Sequence, residues 1–265
     1  MLKRLHHAWL QHVLYQSRVS YSLWHDCISQ IPVLVILAHQ EQHRLRKLVS
    51  LFLHKKTITG AGGLIVDSPM RVIIAAQACL LILNLDLDYF GGWSEVIVYP
   101  GTFIVTRGER DTTGLIHETR RTLGGEAWSR GPVILSWADA EPGGHPHGSA
   151  SNVILHEFAH KLDMLNGSAN GMPPLHANMA RKNWTASLSK AYENLYHHIE
   201  RHHHTTIDPY AAESPAEFFA VLTEVFFEQP ARLHHLYPDV YQQLHLFYKQ
   251  DPLQRISATS HHTKS

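Results

Sequence analysis

The chain has 265 residues, 44% of them hydrophobic, with 23 Lys plus Arg balanced by 23 Asp plus Glu and a pI near 7.4. This is enough apolar material for a full core in one or two domains, and the basic surplus that a nucleic-acid partner calls for is missing. Two cysteines, Cys27 and Cys79, make no disulfide framework, and Cys79 lies in the apolar run AAQACLLILNL as an ordinary buried thiol.

MLKRLHHAWLQHVLYQSR begins basic, but His and Gln interrupt the apolar stretch that a secretory leader needs. Residues 1–38 read as a helical N-terminal extension. HQEQHRLRKLVSLFLHKKT (39–57) sets Leu45, Leu48, Val49, Phe52 and Leu53 at helical spacing. TGAGG (59–63) then breaks the chain, and with no Lys-Ser or Lys-Thr behind it a turn fits better than a phosphate cradle. DSPMRVIIAAQACLLILNL opens with Ser68 as a cap and Pro69 at the first helical position, which predicts a core helix. Its apolar run, residues 72–85, is interrupted by Gln77 and Asn84 and falls short of the roughly 20 residues that cross a bilayer. A cytoplasmic protein without a membrane partner is the expectation.

EVIVYP (95–100), TFIVTR (102–107) and PVILSWADA (132–140) are short, rich in β-branched and aromatic residues, and bounded by Gly or Pro, so they predict strands. Helices follow over 149–165, about 176–203 and 214–228, with one or two shorter ones to about 250. Residues 251–265 have little to bury and are expected to be a disordered tail. The layout predicts a compact α+β domain over 39–250 with a small sheet and N-terminal helices.

The chemistry concentrates in NVILHEFAHKLDMLNG (152–167). With 23 His in the chain, roughly 0.1 copies of His-Glu-x-x-His arise by chance, so the neighbours must decide. Ser149 or Ser151 reads as the helix cap, and His156 and His160 fall on one helix face, one turn apart. Two imidazoles at that spacing can share one zinc ion, with Glu157 beside them to take a proton from a metal-bound water. Asn166 and Asp163 stand where another class of zinc peptidase has a third His and a Gly. A carboxylate from a later helix is the remaining common solution, and 208–230 offers Glu213, Glu217, Glu224 and Glu228. Glu217 also fits Ser214-Pro215-Ala216-Glu217 as a plain capping box. Glu224, seven residues on and on the same face, is either a competing ligand or a partner to a ligand ring. Asp163, three residues after His160, either accepts an imidazole N–H or faces solvent.

His156-Glu157-Phe158-Ala159-His160, with Tyr210 and Glu217 behind it, resembles the gluzincin arrangement of the anthrax lethal factor catalytic domain. More closely, the chain resembles the Mlc titration factor A family of bacterial zinc peptidases. LVSLFLHKKTITGAGG, MRVIIAAQACLLILNL, GGWSEVIVYPGTF, GEAWSRGPVILSWADA, SNVILHEFAHKLDMLNG and YAAESPAEFFAVLTEVFFEQP carry the likeness in order over roughly residues 40 to 230. The resemblance implies one zinc per chain held by His156, His160 and Glu217, Glu157 as catalytic glutamate, and Tyr210 as active-site tyrosine. It implies aminopeptidase-like action on peptides and, as a partner, the transcriptional repressor Mlc, with a role in glucose uptake. The sequence shows no specific acidic clamp for a free amino terminus, for which Glu213 is one candidate. A repressor-binding protein with a vestigial zinc site is the rival reading. In LYHHIERHHHTT (195–206), His198 and His202 lie four apart on a predicted helix and read as a solvated face. His145 and His147 come just before the motif helix and carry no assigned role.

Overall fold

The computed structural model describes residues 19–110, 116–128, 130–142 and 151–262, with only the backbone considered over 104–123 and 259–262. His145, His147 and Ser149 lie outside the described residues, as do residues 1–18 of the N-terminal extension and 263–265 of the tail. Helix α1 (Tyr21–Ile28) starts where the Ser20 hydroxyl accepts the Leu23 N–H, and it buries Trp24, Cys27 and Ile28. A single turn, α2 (Pro32–Val35), leads to α3 (His39–Lys55), which buries Leu45, Val49 and Phe52 at the expected helical spacing. Strand β1 (Thr57–Gly60) follows, then α4 (Ser68–Leu81). The cap of α4 is Asp67, whose carboxylate accepts the Met70 N–H, so Ser68 is already the first helical residue and Pro69 the second. An ionised acceptor at the positive end of the helix serves better than the hydroxyl that follows it. Nearly every residue of α4 is buried, which fits its lack of a polar face.

Strand β2 (Glu95–Tyr99) precedes an antiparallel hairpin of β3 (Phe103–Arg110) and β4 (Ile116–Leu123). Strands β5 (Gly125–Ala127) and β6 (Val133–Ser136) complete a four-stranded sheet in the order β1-β2-β6-β5. The first three run parallel and β5 is antiparallel to β6, with Gly125 opposite Leu135 and Ala127 opposite Val133. The predicted strand at 132–140 is therefore shorter: Trp137–Ala140 turns into helix α5. Trp137-Ala-Asp-Ala lacks the β-branched run that holds 133–135 extended, and the Glu141 N–H closes the turn on the Trp137 carbonyl.

Helix α6 (Val153–Asp163) lies across the sheet and ends in a turn at Met164–Asn166. Its Phe158 is fully buried in a ring cluster, 5.8 Å from Phe52, 5.2 Å from Phe90 and 5.7 Å from Trp93 between centroids. Edge-to-face packing of this kind adds to the large apolar area each ring removes from water, and it fixes the height of α6 above the sheet. Helix α7 (Arg181–Glu200) stops earlier than expected, so His198 is on the helix but His202 lies beyond it with φ 54°. Helix α8 (Pro215–Glu228) is buried along almost its whole length. Its Phe219 packs on Trp184 and Phe247, and its Phe226 on Tyr241 and Tyr248.

Short helices α9 (Pro230–Leu236) and α10 (Pro238–Tyr248) close that side, and α11 (Pro252–His262) follows. The helix α11 corrects the expectation of a disordered tail. It is held by polar contacts that apolar counting overlooks: Asp251 accepts the Gln254 N–H, and Arg255 forks onto Glu41 of α3. Residues 19–37 add Val19, Trp24, Ile28, Ile31 and Leu34 to the same hydrophobic cluster as the rest of the described chain. The α+β expectation holds, with strands β5 and β6 of the sheet and helices α4 and α8 all packed against α6. No described helix is long and apolar enough to cross a membrane.

Candidate metal centre

Helix α6 begins at Asn152, one residue after the expected serine caps. The Asn152 side-chain oxygen accepts the Leu155 N–H at 3.0 Å. Its amide nitrogen donates to Gln77 of α4 at 2.7 Å and to Glu228 of α8 at 2.8 Å, and its backbone N–H donates to Glu224 of α8 at 2.5 Å. Asparagine caps as well as serine but has an amide left over, and here that amide ties the start of α6 to two neighbouring helices. The cue in the sequence was the Asn directly before Val153-Ile154-Leu155.

From that start the helical spacing brings His156 and His160 side by side, with ring centroids 4.8 Å apart and Nε2 atoms 3.1 Å apart. Glu217 comes from the first turn of α8. The Ser214 hydroxyl accepts the Glu217 N–H at 3.2 Å, so the cap exists. The Glu217 carboxylate does not return to the cap, however. Its Oε2 lies 2.9 Å from Nε2 of His156 and 3.3 Å from Nε2 of His160. Among the described residues these three form the one group of His, Cys, Asp or Glu side chains whose donor atoms converge as a metal ion requires. Tetrahedral bonds of about 2.0–2.1 Å separate neighbouring donors by roughly 3.3 Å, close to the spacing seen. Two imidazoles and a carboxylate also make the donor chemistry that zinc accepts.

The surroundings set the protonation states. Glu224 Oε1 lies 2.7 Å from Nδ1 of His156. With Nδ1 facing the Glu224 carboxylate, that nitrogen carries a proton, which leaves Nε2, beside Glu217, as the nitrogen that could bind a metal in exchange for its own proton. Burial acts to lower the His156 pKa, but hydrogen bonds to Glu217 and Glu224 outweigh it and hold the ring well above its ordinary value. Burial also works against ionised Glu217, yet its hydrogen bonds to the two histidines pull it well below the usual carboxylate range. Glu224 is pushed up by burial. Glu157 is 5% exposed, and burial lifts it to about 7 despite the nearby imidazoles. Its Oε2 is buried without a hydrogen-bond partner among the described residues.

Tyr210 sits in the short turn Pro209–Ala212, capped by Asp208, with its ring 6.0 Å from the His156 ring and 37% exposed. Asp163 is fully buried, and its Oδ2 accepts the backbone N–H groups of Asn170 and Gly171 at 2.7 Å each. Among the described residues, Oδ1 of Asp163 and Nδ1 of His160 are both buried without a hydrogen-bond partner, and the bonds that Asp163 accepts serve the loop after α6. Glu213 is exposed beside the cap. The sequence reading did not pick out Asn152 or Gly125, whose importance lies in what they touch.

A buried helix pair that brings two imidazoles, a carboxylate and an unpartnered glutamate together defines a metallopeptidase-type centre, and comparison with known proteins agrees. The chain belongs to the family described as glucose-regulated metallo-peptidase M90, whose model matches residues 5–249. It is 40% identical over 239 residues to the Mlc titration factor A of Salmonella arizonae, covering 88% of this chain and 93% of that protein. It is 38% identical over 242 residues to the Mlc titration factor A of Escherichia coli O8, covering 89% of each. The protein of the same name from Shigella dysenteriae serotype 1 is 38% identical over 253 residues, covering 94% of this chain and 93% of its own length.

Proposed function

We propose that this protein is a zinc-dependent, aminopeptidase-like peptidase of the cytoplasm, with one zinc ion held by His156, His160 and Glu217. The observation that carries this reading is the meeting of three donor atoms at 2.9–3.3 Å beside a buried carboxylate that has an oxygen to spare. A zinc ion held by these three side chains would supply Lewis acidity, making water a nucleophile near neutral pH. Glu157 takes the proton of the attacking water on Oε2 and returns it to the leaving amine. Its pKa near 7, set by burial, suits both directions of transfer. The Tyr210 hydroxyl donates a hydrogen bond to the carbonyl oxygen as charge builds on it. Glu224 keeps the His156 ring oriented with Nδ1 as the donor to its carboxylate, so that Nε2 is the nitrogen turned toward the metal position.

Strand β6 has β2 on one side and β5 on the other. Strand β5 is the outer strand beside α6, so an extended peptide pairs with Gly125–Ala127. The test is metal analysis with peptide turnover on wild type, Glu157→Gln and His160→Ala. Glu157→Gln should keep its zinc and lose turnover, and His160→Ala should lose both. Undiminished hydrolysis by Glu157→Gln would retire the mechanism.

A second reading rests on the relatives' name: binding of the repressor Mlc, and through it control of glucose uptake, without use of the peptidase centre. On that reading, metal-free or Glu157→Gln protein binds Mlc as well as wild type does.

A further inference from the structure

Glu157 occupies the space left by the side chain that Gly125 lacks. A Cβ placed on Gly125 would stand 2.5 Å from both Cγ and Oε1 of Glu157 and 2.7 Å from Cγ2 of Val153. Carbon atoms pack at about 3.5–4.0 Å, so no side chain fits at 125 while Glu157 holds this rotamer. Backbone conformation is not the reason for the glycine. Gly125 is absent from the residues with positive φ, and alanine can take up the same extended φ.

The strand cannot drift away to make room. Gly125 is in register with Leu135 of β6, and Leu135 is fully buried. One helical turn after Glu157, the Lys161 ammonium donates to the carbonyl of Trp128 and, at 2.8 Å, to that of Gly131. Those two carbonyls lie between β5 and β6, so α6 grips the hairpin at both ends. Glu157 meets it at the strand and Lys161 at the turn.

We propose that Gly125 is a positioning residue for Glu157. The bare edge strand packs against Oε1 and Cγ and holds the carboxylate in one rotamer, so that Oε2 faces the donor atoms of His156, His160 and Glu217. Its consequence for catalysis rests on the peptidase reading above, whereas the packing relation stands apart from it.

The test is Gly125→Ala in three backgrounds: wild type, Glu157→Gln and Glu157→Ala. Glutamine has the volume of glutamate, so the alanine should lower Tm by the same several degrees in the first two, roughly 2–8 °C for an overpacked site in a chain of this size. In Glu157→Ala both contacts with residue 157 are gone and only that with Cγ2 of Val153 remains, so the loss should be smaller than in the first two. An equal loss in all three backgrounds overturns the proposal. Should Gly125→Ala fail to fold, recovery of folded protein on adding Glu157→Ala supports it and no recovery overturns it.

In zinc-loaded protein, Gly125→Ala should cut kcat about 100-fold, the scale of a carboxylate displaced by about 1 Å, with zinc content unmoved and the loss in kcat far larger than any change in KM. A kcat within twofold of wild type overturns the positioning role. Wild-type protein that binds zinc and cleaves no peptide overturns the peptidase reading instead, and the Tm comparison then decides the packing relation alone.

Discussion

The carboxylate of Glu224 lies 2.7 Å from Nδ1 of His156, while Glu217 lies 2.9 Å from Nε2 of the same ring. Two acids seven residues apart on α8 therefore take opposite nitrogens of one imidazole. On the proposed zinc site, Glu217 would supply a donor atom and Glu224 would orient the ring. Loss of an acceptor behind a ligating histidine lowers metal affinity about 10–100-fold. Glu224→Ala should fall in that range when zinc is titrated against a chelator, and Glu217→Ala should fall further. Zinc affinity within twofold of wild type in Glu224→Ala would remove Glu224 from the site.

Asp163 supports the loop that follows α6. Its Oδ2 accepts two backbone N–H groups, from Asn170 and Gly171, in a fully buried setting. Asp163→Ala leaves both donors without an acceptor, at a cost of about 2–4 kcal/mol. Asp163→Asn keeps one acceptor oxygen and should cost less. Urea unfolding of the two variants checks the order, and equal stabilities would contradict it.

Lys56 and Lys161 stand over one ring, their Nζ atoms 3.8 Å and 4.8 Å from the centre of Trp93. Burial first, and then a neighbouring lysine in each case, bring both ammonium groups down to about 8 from an ordinary 10.5. In the unfolded chain both return to 10.5. Between about pH 8 and 10.5 the unfolded state thus binds more protons, and each lysine makes folding more favourable as pH rises, by up to about 1.4 kcal/mol per unit. Lys56→Met deletes one of the two contributions. The stability of wild type relative to Lys56→Met should grow from pH 8 to 10.5 and level off above it. Parallel curves across that window would show that Lys56 keeps its ordinary value.

Arg255 joins α11 to α3, with Nη2 2.5 Å from Oε1 of Glu41 and Nε 3.1 Å from Oε2. Glu41 also accepts the Ala38 N–H at the start of α3. Lysine cannot reproduce the two-pronged geometry. Arg255→Lys should destabilise by about 1 kcal/mol and speed amide exchange over 252–258 before the rest of the chain. Unchanged exchange there would mean that apolar contacts hold α11.

Local patterns in the sequence set most of the elements. A 3.6-residue spacing of Leu45, Val49 and Phe52 suffices for α3, and β-branched residues bounded by Gly and Pro suffice for β2. Element ends were less legible, because competing neighbours decide them. Asp67 caps α4 ahead of Ser68, and Asn152 caps α6 behind Ser149 and Ser151. The C-terminal helix escaped composition because one ion pair spanning 214 residues holds it, and no local window contains both partners.

By itself, the sequence determined that His156 and His160 share a helix face with Glu157 next to them, since covalent spacing and the helical repeat leave no other arrangement. It also held Glu217 and Glu224 on one face of a later helix without saying which nitrogen each would meet. Only tertiary structure decided that, through the angle at which α8 crosses α6, where Asn152 bonds Glu224 and Glu228. The sheet order was likewise outside the reach of sequence, because Gly-Glu-Ala of β5 carries little strand signal of its own and only long-range pairing makes β6 interior and β5 an edge. Periodicity acts over a few residues, whereas crossing angles and strand order depend on which buried surfaces fit together.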